Sequence, residues 1–135
     1  MSAEADYLRA ERESILETLR LVEDLLAKPT RSQYETIALG KLLQDLYSGL
    51  ERILRGLLEE RGVRIQKSEG WHKELLLAAR KDSLVEANEF DAFSKLLLFR
   101  HVQVHGYGFA LEDERLVEIA RAVIDTCRGF LSRLS

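Results

Sequence analysis

At 135 residues, 46% hydrophobic and 32% charged, the chain is long enough to bury one continuous core without a metal or disulfide staple, and its mixture is globular rather than disordered. A net charge of -3 and a pI near 5.7 exclude the overall basic footprint of a duplex-coating protein, although a local cationic cleft could still hold a few phosphates. The single cysteine, Cys127, excludes an intramolecular disulfide and a multi-thiolate zinc site, and the single proline, Pro29, suits a helical bundle better than a β-rich domain.

Helical periodicity begins at once. Leu8, Ile15, Leu19, Val22 and Leu26 fall on one stripe that stops near Pro29. Thr30 or Ser32 is placed to cap a second helix, whose stripe runs Leu39, Leu42, Leu46, Leu50, Ile53 and Leu57 until Gly62. The two segments read as an antiparallel hairpin. Residues 62–70 form a connection, and Trp71 to Lys81 a short helix.

A long helix is expected from about Glu86, with Phe90, Phe93, Leu97, Arg100, Val104 and Tyr107 at spacings of three and four, and Gly106 and Gly108 marking its end. In the last helix Glu112, Asp113 and Glu114 sit at the positive N-terminus, and the stripe is Leu116, Ile119, Val123, Cys127, Phe130 and Leu134. Cys127 is therefore expected as a buried, inert thiol. No segment alternates as a half-buried strand does. The expected fold is all-α: one domain over residues 1–135, an up-and-down bundle of four main helices plus one short helix. The opening residues lack a basic-then-apolar leader and no apolar run approaches the roughly 20 residues that span a bilayer, which points to a cytoplasmic protein with no membrane partner.

One helix breaks its own pattern. The stripe Phe90, Phe93, Leu97 carries Arg100 into an apolar position, and His101 and His105 crowd the same end. Desolvating an arginine costs several kcal/mol, on the order of the buried-ion penalty, unless it is paired or lines a wet cleft. Either Arg100 snorkels or pairs with a core carboxylate such as Glu51, or it belongs to a site. Glu51, at the edge of the second stripe, is either that partner or simply solvated. With 14 arginines, 3 histidines and 4 tyrosines, Arg-x4-His arises by chance roughly one time in three, but a Tyr two residues later lowers this to about one in a hundred. Arg100, His105 and Tyr107 therefore stand out as a set.

The segment Phe99-Arg100-His101-Val102-Gln103-Val104-His105-Gly106-Tyr107-Gly108 resembles the signature of the HepT-like branch of HEPN domains, in which Arg is followed by a polar residue, three variable positions, His, a variable residue and Tyr. Leu46-Tyr47-Ser48-Gly49-Leu50-Glu51-Arg52-Ile53-Leu54 and Trp71-His72-Lys73-Glu74-Leu75-Leu76 also look like that branch, so the similarity runs from about residue 40 to 120. The polar position, often Asn or Asp, is His101 here. The resemblance implies a HEPN-like bundle and a metal-independent endoribonuclease toxin, cleaving RNA by transesterification with Arg100 and His105 as the catalytic pair and His101 and Glu51 in support. It also implies a homodimer with both motifs facing one cleft, and a nucleotidyltransferase antitoxin that attaches AMP to Tyr107.

The residue types suit this chemistry independently. Histidine titrates near neutrality and moves protons, and arginine offers a planar, permanently charged fork to phosphate. No thiolate set or clear carboxylate cluster asks for a metal, and no cofactor is expected. Tyr107 reads equally as a core aromatic, and Trp71 and His72 as packing and capping residues of the short helix. Positions five apart on a straight helix differ by about 140°, so Arg100 and His105 do not share a face. Either the helix ends before His105 or two chains build the site. The competing reading is a non-catalytic module that presents substrate to a nucleotidyltransferase.

Overall fold

A computed structural model describes residues 3–104 and 112–134, and every regular element among them is helical. The helices are α1 (Ala3–Leu26), α2 (Gln33–Glu60), the short α3 (Trp71–Lys81), α4 (Ala87–Val104) and α5 (Asp113–Arg133). Four long helices and one short one match the expected all-α bundle.

The hairpin of α1 and α2 turns on Ser32 rather than Thr30. The Ser32 hydroxyl accepts from the Glu35 backbone N–H at 3.1 Å, and the Glu35 carboxylate accepts from the Ser32 N–H at 2.8 Å. That reciprocal box satisfies two of the donors a helix start leaves open. At the far end of α2, Gly62 takes φ +81°, the left-handed turn that glycine adopts without penalty. The helices run antiparallel: Ile15 lies against Gly49, and farther along Glu11 bonds Arg52 at 2.8 Å. Gly49 permits the close approach, since a Cβ there would stand 2.7 Å from Ile15 Cγ1.

α2 is the centre of the bundle and packs against α1, α3, α4 and α5. One stripe cannot serve so many neighbours. Of the expected positions Leu39, Leu46, Leu50 and Ile53 are buried and Leu42 and Leu57 half-buried, while Leu43, Tyr47, Leu54 and Leu58 widen the buried face. In α1, Ile15, Leu19 and Val22 are buried, with Leu8 and Leu26 packed at the margin. α5 buries Leu116, Val123, Cys127 and Phe130 as its period predicts. Burial pushes the Cys127 thiol up to about 12, so it is an inert apolar side chain.

α4 departs from its expected stripe. Its buried line is Glu89, Ala92, Phe93, Leu96 and Phe99, whereas Phe90 and Leu97 are half-buried. Arg100 therefore flanks the core line instead of lying on it. The shift follows from α5: Phe93 meets Phe130 edge-on with centroids 5.2 Å apart, and buried Glu89 pairs with Arg133. Those contacts also run α4 antiparallel to α5.

The start of α5 is held by more than its dipole. Arg31, from the α1–α2 connection, grips Asp113 with two bonds, Nε to Oδ1 at 2.7 Å and Nη2 to Oδ2 at 2.9 Å, and Thr36 donates to Oδ1 at 3.0 Å. The Arg31 bond, with Thr36 adding to it, holds the Asp113 carboxyl below its ordinary value. A carboxylate depressed on folding stabilises fully above its unfolded pKa, near 3.9, and loses that contribution as pH falls through the folded value. Asp113→Asn is accordingly expected to lower the melting temperature at pH 7, with the gap to wild type closing as pH falls below the ordinary carboxylate range. Thermal melts across pH check this; a gap that persists undiminished at pH 2 contradicts it.

Candidate functional site

The functional region is built where the first turn of α3 and the last turns of α4 come down on the middle of α2. Gly70, at φ +76°, is the residue before α3 and offers no side-chain cap, so Trp71 and His72 occupy the first turn without capping it. This corrects the expectation that they cap the helix. His72 lies three and four residues before Leu75 and Leu76, which are buried, and so shares the face that α3 turns to the bundle.

Its partner there is Glu51. The His72 Nδ1 and Glu51 Oε2 are 2.7 Å apart, and Glu51 is only 8% exposed. The structure thus answers the question left open by the sequence: Glu51 is neither solvated nor paired with Arg100. It is paired with His72. An ionised carboxylate buried to this degree needs such a partner, because its desolvation is otherwise uncompensated. Trp71 holds the imidazole from the side, with ring centroids 3.9 Å apart and 32° between planes. Arg55 from α2 and Lys67 from the connection each lie 5.6 Å from the Trp71 ring centre, in cation–π range.

One turn before Glu51 on α2 is Tyr47, 1% exposed. Burial first, then the Glu51 carboxylate, push its phenol well above the usual tyrosine range, while the charge of Arg100 pulls the other way. The influence of Glu51 is that of a near neighbour rather than an aligned acceptor: its Oε2 is committed to His72, and the Tyr47 hydroxyl has no well-aligned partner among the described residues. Tyr47 thus lies one turn from Glu51 on α2 and feels the charge of Arg100. Arg100 is half-buried on α4 and makes no ion pair with a described residue. His101 lies beside it on an exposed face.

His105 and Tyr107, with Gly106 and Gly108, lie outside the described residues. α4 is helical through Val104, which places Arg100 on continuous helix. Three of the five expected site residues lie within the described region: Arg100 at the edge of the core, His101 on the exposed face of α4, and Glu51 buried. Sequence reasoning missed the His72 partnership, and with it the role of Tyr47. The available signal was the polar pair Tyr47 and Glu51, four apart on an otherwise leucine-rich face.

Residues 38–134 match the family model for HepT-like proteins. The chain belongs to the HepT-like family. This HepT-like chain is a HEPN toxin domain, as the resemblance of its α2, α3 and α4 segments implied, and the whole Tyr47, Glu51, His72 and Arg100 cluster falls within the matched region. No curated protein and no solved structure matches it. Among the described residues of this HepT-like domain no helix is long and apolar enough to cross a membrane, and no group of three or more His, Cys, Asp or Glu side chains converges.

A buried hydroxyl without an aligned partner is a net cost, so Tyr47→Phe is expected to leave the domain at least as stable as wild type. Chemical denaturation decides the point. A loss greater than about 1 kcal/mol, the net worth of a formed hydrogen bond, shows instead that the hydroxyl is satisfied.

Proposed function

We propose that this HepT-like domain is a metal-independent endoribonuclease toxin of a type VII toxin–antitoxin system. It works in the cytoplasm as a homodimer and is neutralised when a nucleotidyltransferase antitoxin adds AMP to Tyr107. The observation that carries the reading is Arg100: a half-buried guanidinium with no ion pair to a described residue, beside a buried polar cluster, in a chain of this family. A cation left without a carboxylate at the rim of a core has its charge available to an anion.

In this reading Arg100 clamps the scissile phosphate and stabilises the charge that accumulates on its oxygens as the 2′-hydroxyl attacks. His105 moves a proton at the reacting oxygens. Because residues five apart on a helix diverge by about 140°, pairing Arg100 of one chain with His105 of a second copy across a shared cleft meets the geometry, and it doubles the positive charge available to an acidic protein. His101 supports the cleft from the exposed side of α4. AMP on Tyr107 adds bulk and negative charge next to the motif, which repels the phosphate that Arg100 would bind.

The test is cleavage of total RNA in EDTA by purified protein shown by mass to carry no AMP. Wild type is expected to cleave and leave 2′,3′-cyclic phosphate ends. His105→Ala should be slower by about 10²–10⁴-fold, the range for losing a general acid or base. Arg100→Ala should be slower by about 10²–10³-fold, the range for losing a charge-stabilising donor. Absence of wild-type cleavage moves the assignment to a non-catalytic module that presents substrate to the nucleotidyltransferase.

A further inference from the structure

The chain is acidic, but its charge is unevenly placed. From Arg61 to Glu74 four cations, Arg61, Arg64, Lys67 and Lys73, stand against two carboxylates, Glu69 and Glu74. Many cations on the long helices are spent within the protein: Arg20 on Glu17 and Asp24, Lys41 on Asp45, Arg52 on Glu11. Arg61 likewise goes to Asp82. Arg64, Lys67 and Lys73 are different. All three are exposed, and none makes an ion pair with a described residue.

Their setting is aromatic. In the connection between α2 and α3, Val63 and Ile65 pack on the core and Arg64 between them is exposed. Lys67 lies 5.6 Å from the centre of the Trp71 ring. Three residues of chain reach about 11 Å at most, so Arg64 and Lys67 address neighbouring parts of one ligand. Trp71 is half-buried, and its ring meets that of His72 at 3.9 Å. Glu51 holds His72 through Nδ1 at 2.7 Å. An ionised carboxylate only accepts, so the lone pair of the neutral imidazole is on Nε2, and the side chain is 26% exposed. Arg55, paired with Glu59, lies 5.6 Å from the indole centre and supports it from α2. Lys73 follows His72 directly in the first turn of α3. Two rings are thus fixed at the surface beside cations that no described carboxylate neutralises.

We propose that the α2–α3 connection and the first turn of α3 bind single-stranded RNA, with Arg64, Lys67 and Lys73 on its phosphates and the Trp71–His72 rings against an unstacked base. A single strand offers both halves of this match, since every base has a π-face and every nucleotide a charge. A duplex keeps its bases stacked away from such rings. An acidic protein segment satisfies the cations and leaves the rings unused. The inference takes its ligand from the ribonuclease reading and adds to it a holding surface separate from the Arg100 motif on α4.

Trp71 is the only tryptophan, so its fluorescence reads this surface directly. The probe is an end-labelled uridine oligonucleotide of about 10 residues, methylated at every 2′-oxygen; without the attacking hydroxyl it is bound but not cut. Saturable quenching of Trp71 is expected at the same concentrations as the rise in probe anisotropy. Arg64→Ala combined with Lys67→Ala should bind about 25-fold more weakly at 0.1 M salt, with a log–log salt slope shallower by about 1.4, at roughly 0.7 per phosphate contact. Arg115→Ala combined with Arg121→Ala removes the same charge from exposed positions on α5 and should bind as the wild type does. Anisotropy without a Trp71 response overturns the proposal, as does an equal loss in the two double variants. So does polyglutamate of matching charge that binds and quenches as strongly, which makes the surface a dock for an acidic protein. Cleavage of unmethylated RNA scores the ribonuclease reading separately. Cleavage with a silent Trp71 removes this proposal alone, and Trp71 quenching without cleavage removes that reading alone.

Discussion

A carboxylate on the helix that every other helix packs against has to find its partner inside the bundle. α2 is that helix, and Glu51, four residues after buried Tyr47, faces inward from its middle. The first turn of α3 supplies His72 at 2.7 Å, and the rest of this end of the molecule is arranged around that meeting. Removing one partner of such a pair costs about 3–5 kcal/mol because the other charge is left buried, whereas the intact pair contributes little net stability. Its value is in position. It fixes where α3 docks, which ring nitrogen faces out, and where the first turn of α3 stands relative to Arg100.

A second inward carboxylate does the same work elsewhere. Glu89 is 3% exposed at the start of α4, takes Arg133 from the end of α5, and accepts from the Glu86 backbone N–H at 2.8 Å. Together with the edge-on contact of Phe93 and Phe130, this sets the rotation of α4 about its axis. The consequence appears eleven residues later. With Glu89, Phe93, Leu96 and Phe99 on the core line, Arg100 emerges at the border of the core, half-buried, where its charge is felt by the Tyr47 phenol. An arginine fully on the core line would have required a buried counter-ion. At the border it needs only contact with water.

The helices were legible because their signals are local. Pro29 and Ser32 bracket the first connection, Gly62 closes α2, and periods of three and four mark each buried face. The family was legible in the motif around Arg100 and in two further stretches, since spacing along the chain carries it. What failed was long-range. The α4 stripe was centred on Phe90 and Leu97 because a hydrophobic side chain looks the same whether it faces the core or its margin, and only the pairing of Glu89 with Arg133 decides between them. In the sequence Arg100 and water are the visible partners for Glu51, and His72 looks like a residue of its own helix end. Which helix a polar side chain meets depends on docking, and docking leaves no periodic trace.

The claim on which this account turns is that Glu51 fixes the imidazole of His72 with the proton on Nδ1 and the lone pair on Nε2. Long-range proton–nitrogen NMR of the labelled domain above pH 8 reads the two ring nitrogens directly. The account predicts a His72 ring protonated on Nδ1, with that proton exchanging slowly behind the Glu51 contact, and loss of the preference in Glu51→Ala. A neutral ring protonated on Nε2, or one averaging between the two forms in the wild type, would contradict it.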